Sequence, residues 1–283
     1  MDAISVLSQK GGAGMKKLDF TCEQKEKIES HTSKGNQPKW HLDDMWYKAD
    51  HMGYEALSEY MVSRLLEKSN VTDFVTYDLV SIRYDDKEAV GCASANFRKE
   101  NEMLIPIEKL HRQYYGYGLA DALAKMTDAV KKIKYTVQFV EEVTDIPNVG
   151  PYLAMLLAVD AFFLNEDRHT NNIAVIRNEG TKRFRMAPIY DNGLALLSDT
   201  NDYPLNKDVY HNIEKVQAKP FDVDFDVQLE AAEQLYGTQL RFAFSDSDVY
   251  HLVDSLKGVY EDAVLKRAEK VVLEQKRKYG TYF

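Results

Sequence analysis

Asn165-Glu166-Asp167-Arg168-His169-Thr170-Asn171-Asn172, followed by Tyr190-Asp191-Asn192-Gly193, is the sequence on which the reading of this chain turns. Just upstream, Pro151–Leu164 is apolar apart from Asp160 and predicts a buried helix that ends at a polar loop. Between the two quoted stretches, Ile173–Ile176 reads as a short strand. Arg183–Met186 reads as its hairpin partner, after a turn at Asn178–Gly180. Each stretch alone has an ordinary explanation: a salt-bridged surface loop for Asp-Arg-His, a common turn for Asp-Asn-Gly. Their order, with strands between them, favours a site.

Further out, the two sides of the chain differ. Before Pro106, Lys39–Leu42 and Met45–Lys48 read as a hairpin about Asp43-Asp44. Tyr54–Lys68 has helical spacing, with Leu57, Tyr60, Met61 and Leu65 on one side. Phe74–Tyr84 and Ala89–Phe97 are β-rich. After Pro106 the patterns are helical: Ala120–Val140, Pro151–Leu164, Val227–Tyr236, Asp246–Leu256 and Tyr260–Arg277. The layout predicts an α+β chain of two lobes, a small β-rich one and a larger α-helical one, with ligand in the cleft between. The expected divisions are an extension at 1–14, the first lobe at 15–105 and the second at 106–283.

The chemistry that suits the quoted residues is phosphoryl transfer. That reaction asks a protein for positioning and charge neutralisation: one carboxylate orients the attacking hydroxyl, while an Asn and a second carboxylate hold magnesium against the phosphates. Asp167 and Asn172 have the five-residue spacing of a kinase catalytic Asp and metal-binding Asn. Asp191 follows nineteen residues after Asn172, where a second metal ligand belongs. Such hard oxygen ligands suit Mg²⁺.

Asp-Arg-His-x-x-Asn, then Pro-x-Tyr-Asp, resembles the catalytic core of HipA-like serine/threonine kinases. The resemblance runs from about Ser33 to the C-terminal helices. It takes in Trp46-Tyr47-Lys48-Ala49-Asp50, Gly53-Tyr54-Glu55-Ala56-Leu57, and Lys219-Pro220-Phe221 with Gln228. It implies a protein-kinase-like fold and an ATP/Mg²⁺-dependent transfer to Ser or Thr of a protein substrate. By the same resemblance Asp167 is the catalytic residue, Asn172 and Asp191 hold the metal, and Lys48 is the ATP lysine. Glu55 is that lysine's expected partner, with Glu59, one turn on, as the substitute. Ser33 and Gly35 fall in the phosphate loop, which is poorer in glycine than most. Cys92 and Ala95 fall where an adenine-contacting hinge is expected, around Cys92–Phe97. Arg168 and His169 are expected to orient the loop. Thr32 and Ser33 are candidates for autophosphorylation, because members of this family carry a modifiable serine in this loop. An antitoxin protein is the partner that the resemblance suggests.

The same core is shared with phosphoinositide-type kinases, so a lipid or small-molecule acceptor is one alternative. A nucleotide-binding pseudokinase is another. Against a lipid acceptor, no amphipathic basic helix with large apolar residues suits a membrane surface.

The 283 residues, 45% hydrophobic with 18 tyrosines, suffice for a real core. A net charge of −9 argues against nucleic acid as a direct partner. No apolar run reaches the roughly 18 residues of a membrane span. Two cysteines, Cys22 and Cys92, and no secretory signal fit a cytoplasmic protein. The opening ISVLSQKGGAG resembles the Gly-rich loop of ParA-type ATPases. However, Gly14 is followed by Met15-Lys16-Lys17 rather than the Lys-Ser/Thr pair that would reach phosphate and magnesium. Residues 1–14 are therefore expected to bind no phosphate.

Overall fold

The computed structural model of the chain describes residues 15–21 and 37–283. Thr32, Ser33 and Gly35, and the extension at 1–14, lie outside the described residues. The first elements are β1 (Lys16–Asp19), β2 (Lys39–Leu42), β3 (Met45–Ala49), α1 (Glu55–Leu66), β4 (Asp78–Tyr84) and β5 (Lys87–Ala95). Their strands form one sheet in the order β1-β4-β5-β3-β2, antiparallel except for β1 beside β4. Both hairpin turns are Asp-Asp pairs with left-handed backbone. Asp43 and Asp44 have φ of 49° and 61°, Asp85 and Asp86 of 46° and 57°. Two-residue turns of this kind match the right-handed twist of the strands, and Asp tolerates them.

Period-2 alternation gives this sheet two different faces. One carries Phe20, Trp40, Tyr47, Val80, Ile82, Tyr84 and Ala93, a cluster in which Phe20 and Trp40 stack with ring centroids 4.8 Å apart. The other carries Cys92, which packs with Ala56, Val75 and Tyr77 beneath α1. Lys48 lies directly across the ladder from Cys92 and so points to this second face.

The remaining elements are β6 (Glu102–Pro106), α2 (Ile107–Tyr115), α3 (Leu119–Leu123), α4 (Ala129–Thr144), α5 (Val149–Phe163), β7 (Ala174–Asn178), β8 (Phe184–Met186), α6 (Val209–Lys215), α7 (Phe225–Tyr236), α8 (Asp246–Asp254) and α9 (Asp262–Lys278). The order of strands in the second sheet is β6-β7-β8. Because β6 pairs with β7, the chain passes from one sheet to the other through Asn96–Asn101. A single helix expected over Ala120–Val140 is instead α3 and α4. Asp128 between them accepts a hydrogen bond from the Lys131 N–H and starts a new helix.

Helix α5 is the spine of the larger core. Phe162 and Phe163 are fully buried, and α5 packs against α4, α7 and α9. Truncation of such a phenylalanine to alanine costs about 3–5 kcal/mol, so the loop that leaves α5 springs from a rigid base. Leu164 ends the helix in the left-handed region, φ 57°, and delivers the chain to Asn165.

Candidate active site

Lys48 reaches across to two carboxylates. Its Nζ lies 2.6 Å from Glu59 Oε1 and 2.7 Å from Asp191 Oδ1. Glu59 has no exposed side-chain surface, Lys48 has 13% and Asp191 has 31%. The Asp191 carboxylate is thus the one that faces outward. Burial pushes the Asp191 carboxyl up, but Lys48, Lys39 and Arg168 outweigh it and hold the group well below the usual carboxylate range. Burial likewise opposes the charge on Lys48, and Asp191 and Glu59 overcome it, raising the amine well above the ordinary lysine value. Glu59, buried entirely, is raised in spite of Lys48.

The expected partner Glu55 is elsewhere. Its carboxylate turns back to accept hydrogen bonds from the N–H groups of Met52 (2.7 Å), Gly53 (3.1 Å) and His51 (3.2 Å), which shapes the loop entering α1. The four residues from Glu55 to Glu59 span about 6 Å of helical rise, and it is the second turn of α1, at Glu59, that meets Lys48. The same turn holds the segment after Asp191. Asn192 N–H donates to Glu59 Oε2 at 2.8 Å, and Ser58 Oγ donates to the Asn192 carbonyl at 2.7 Å. Gly53 pairs with Asp199 across an isolated bridge, and a Cβ there would lie 2.0 Å from the Ser198 carbonyl oxygen. Only glycine permits that approach.

The polar loop after α5 is organised around Arg168, which is fully buried. Its Nε donates to Asp160 Oδ2 at 2.9 Å, and its Nη2 donates to Asp160 Oδ1 at 3.0 Å and to Asn192 Oδ1 at 2.9 Å. Its Nη1 donates to the carbonyls of Asn172 (3.2 Å) and Tyr190 (2.6 Å). One guanidinium therefore ties the end of the Asp167–Asn172 loop to the residue before Asp191. Planar forks of this kind fix geometry as well as charge. Within the loop, Asn172 Nδ2 donates to the Asp167 carbonyl at 2.9 Å, which leaves the Asn172 side-chain oxygen turned away from that bond. The Asp167 carboxylate, 10% exposed, meets Lys219 Nζ at 3.2 Å through Oδ1, and His169 Nε2 lies 3.7 Å from Oδ2.

Cys92 and Ala95 fall inside β5 rather than in the connection after it. Cys92 is buried opposite Lys48, and Ala95 is exposed opposite Met45. Phe97, in the connecting segment, packs on Tyr190 with ring centroids 5.4 Å apart and against Ala174, Ile176 and Ala187. This apolar wall lies next to the segment that leads from β8 into Asp191, and the expected hinge stretch touches it at Phe97.

Lys39 went unassigned in the sequence. It stands opposite Lys48 in the β2–β3 ladder, so two ammonium groups share the face that looks at Asp191. Burial lowers the Lys39 amine against the pull of Asp191. The signal was available, since counting outward from the Asp43-Asp44 turn pairs residue 39 with residue 48.

No protein-family model matches the chain, and no curated protein matches it either. Among solved structures, it resembles the Helicobacter pylori proinflammatory kinase CtkA, with a TM-score of 0.59 at 16% identity over 93% of this chain and 94% of that one. The chain has a kinase-like α+β fold. HipA of Shewanella oneidensis, solved with HipB and operator DNA as a toxin–antitoxin system, aligns with a TM-score of 0.47 at 11% identity, over 91% of this chain and 66% of that one. In this fold the first sheet supplies Lys48, the loop between α5 and β7 supplies Asp167 and Asn172, and the segment after β8 supplies Asp191.

Proposed function

We propose that the protein is a kinase that transfers the γ-phosphoryl group of ATP, with Mg²⁺, to a Ser or Thr hydroxyl of a protein. The observation that carries this reading is the joining of Lys48 to both Glu59 and Asp191, with the Asp167–Asn172 loop anchored through Arg168 to Tyr190, the residue before Asp191. In this reading Lys48 holds the α/β-phosphates and Glu59 keeps it extended. Asp167 orients the acceptor hydroxyl and receives its proton. Phe97, Tyr190 and the alanines beside them form an apolar wall for the base.

The donor set fits magnesium. Asp191 is held ionised by its cations and retains exposed surface, and Asn172 has its amide oxygen directed away from its own loop bond. These are hard oxygens, few in number, as Mg²⁺ bound with phosphates requires. Among the described residues no cluster of three or more His, Cys, Asp or Glu could hold a metal by itself. When bound, the ion would neutralise phosphate charge during transfer.

We place the lobe division in the Asn96–Asn101 connection. Autophosphorylation at Thr32 or Ser33 and an antitoxin-type protein partner remain proposals of the family resemblance. No described helix is long and apolar enough to cross a membrane; a cytoplasmic location is part of this proposal.

The test is incubation with γ-labelled ATP, Mg²⁺ and cell lysate, with phosphosites mapped by mass spectrometry. Wild type should label Ser or Thr of itself or of a lysate protein. Asp167→Asn should lower labelling by about 10²–10⁴, the usual weight of a positioned acid–base group, while still binding ATP. An Asp167→Asn variant as active as wild type would remove the assignment.

A further inference from the structure

We propose that Lys219 is a second catalytic cation, one that meets the phosphoryl group while it passes to the acceptor hydroxyl. The inference rests on the kinase reading above and assigns a role to the Lys-Pro-Phe stretch, to which that reading gives none.

Lys219 comes from the segment between α6 and α7, 52 residues beyond Asp167 in sequence, yet its Nζ is 3.2 Å from Asp167 Oδ1. Its backbone is anchored on both sides. The Ala218 N–H donates to the Val223 carbonyl at 2.8 Å. Phe221 is fully buried, donates its N–H to Gln228 Oε1 at 3.4 Å, and accepts Lys132 Nζ at its carbonyl at 2.8 Å. A fixed stem thus presents a side chain with 36% of its surface exposed over a carboxylate with 10%. Lysine carries three rotatable donors on a flexible stem, so the ammonium that meets Asp167 can be re-aimed when a phosphoryl group arrives.

The two lysines then divide the work. Lys48 is engaged by Glu59 and Asp191, on the nucleotide side. Lys219 stands at the carboxylate that takes the acceptor, so an acceptor oxygen bound to Asp167 lies within one hydrogen-bond length of the ammonium's own partner. During transfer, a bond forms between the acceptor oxygen and the γ-phosphorus. The bond from that phosphorus to the β–γ bridging oxygen breaks, ADP leaves with its electron pair, and the acceptor proton goes to Asp167. Charge spreads over the three equatorial oxygens of the group in flight. A preplaced ammonium beside them stabilises that state more than the ground state.

The competing explanation is that Lys219 only steadies the Asp167 side chain. Calorimetry with ADP and Mg²⁺, with and without aluminium fluoride as a mimic of the phosphoryl group in transit, separates the two. Lys219→Met should bind ADP–Mg²⁺ as wild type does but lose the tightening that aluminium fluoride brings. Its kcat should fall by about 10²–10³, the usual cost of losing one such group, at unchanged KM for ATP. Lys219→Gln, which can still donate to Asp167, should show the same loss. Recovery of tightening and kcat in Lys219→Gln, or full tightening in Lys219→Met, would reduce Lys219 to a structural part and leave the kinase reading standing. A wild-type protein that bound no ADP–Mg²⁺ would end that reading and this inference with it.

Discussion

Glu55 and Glu59 occupy the same helix one turn apart and do different jobs. Glu59 holds Lys48 and the Asn192 backbone, while Glu55 caps three N–H groups ahead of the helix. Glu59→Gln should therefore weaken ATP binding and lower turnover together, since Lys48 loses its buried anion. Glu55→Gln should leave ATP affinity close to wild type and lower the thermal midpoint instead. Nucleotide titration and thermal denaturation of both variants would show a crossed pattern, and the opposite pattern would restore Glu55 as the lysine's partner. At this scale the sequence was informative where a residue type and a spacing coincide, as for Asp167 and Asn172. It was ambiguous between two glutamates because helical periodicity places both on one side without saying which turn meets the sheet. Arg168 was legible as an organiser, but its hold on Asp160, Asn172, Tyr190 and Asn192 needed the fold to bring distant carbonyls together.

Helix α1 is the element on which the site depends, and its start contains an unusual acid. Asp50 accepts the Ala56 N–H at 2.6 Å and the Tyr260 hydroxyl at 2.8 Å. Burial, with Glu55 adding its charge, pushes the Asp50 carboxyl up to about 8. The folded chain therefore keeps a proton here that the unfolded chain gives up near the ordinary carboxylate value of about 4. Stability from this group is greatest below about pH 4, declines as pH rises towards 8 and is flat beyond. Asp50→Asn retains a side-chain acceptor for Ala56 and should flatten that decline, with a thermal midpoint above wild type at pH 8 and close to it at pH 4. Equal pH slopes for the two proteins would contradict the assignment. Among the elements, α1, both hairpins and α5 could be read from periodicity and turn residues. Strand β6 and helices α2 and α6 could not. Strand β6 gains its partner from β7, more than sixty residues away in sequence. Helices α2 and α6 are short amphipathic pieces whose burial is decided by neighbours rather than by their own pattern.

For the whole molecule, the described residues from 37 onward contain every side chain assigned to the site apart from those expected in the phosphate loop. A chain begun at Met15 should accordingly keep its ATP affinity and its phosphotransfer rate, measured side by side with the full chain; loss of either would assign a working role to residues 1–14. The two-lobed layout was legible because strand patterns and helix patterns segregate along the chain. The path between the sheets was not, because nothing in the sequence of residues 102–106 shows that their partner is β7. Cys92 offers a way to time the molecule. Its thiol is sealed beneath α1, and burial together with Glu59 raises it well above the ordinary thiol value, so it is a poor nucleophile while the sheet and helix stay together. Iodoacetamide should mark it only during the moments when α1 lifts, so that adduct growth at this one peptide becomes a stopwatch for opening, and ADP with Mg²⁺ should slow the stopwatch without changing the reagent.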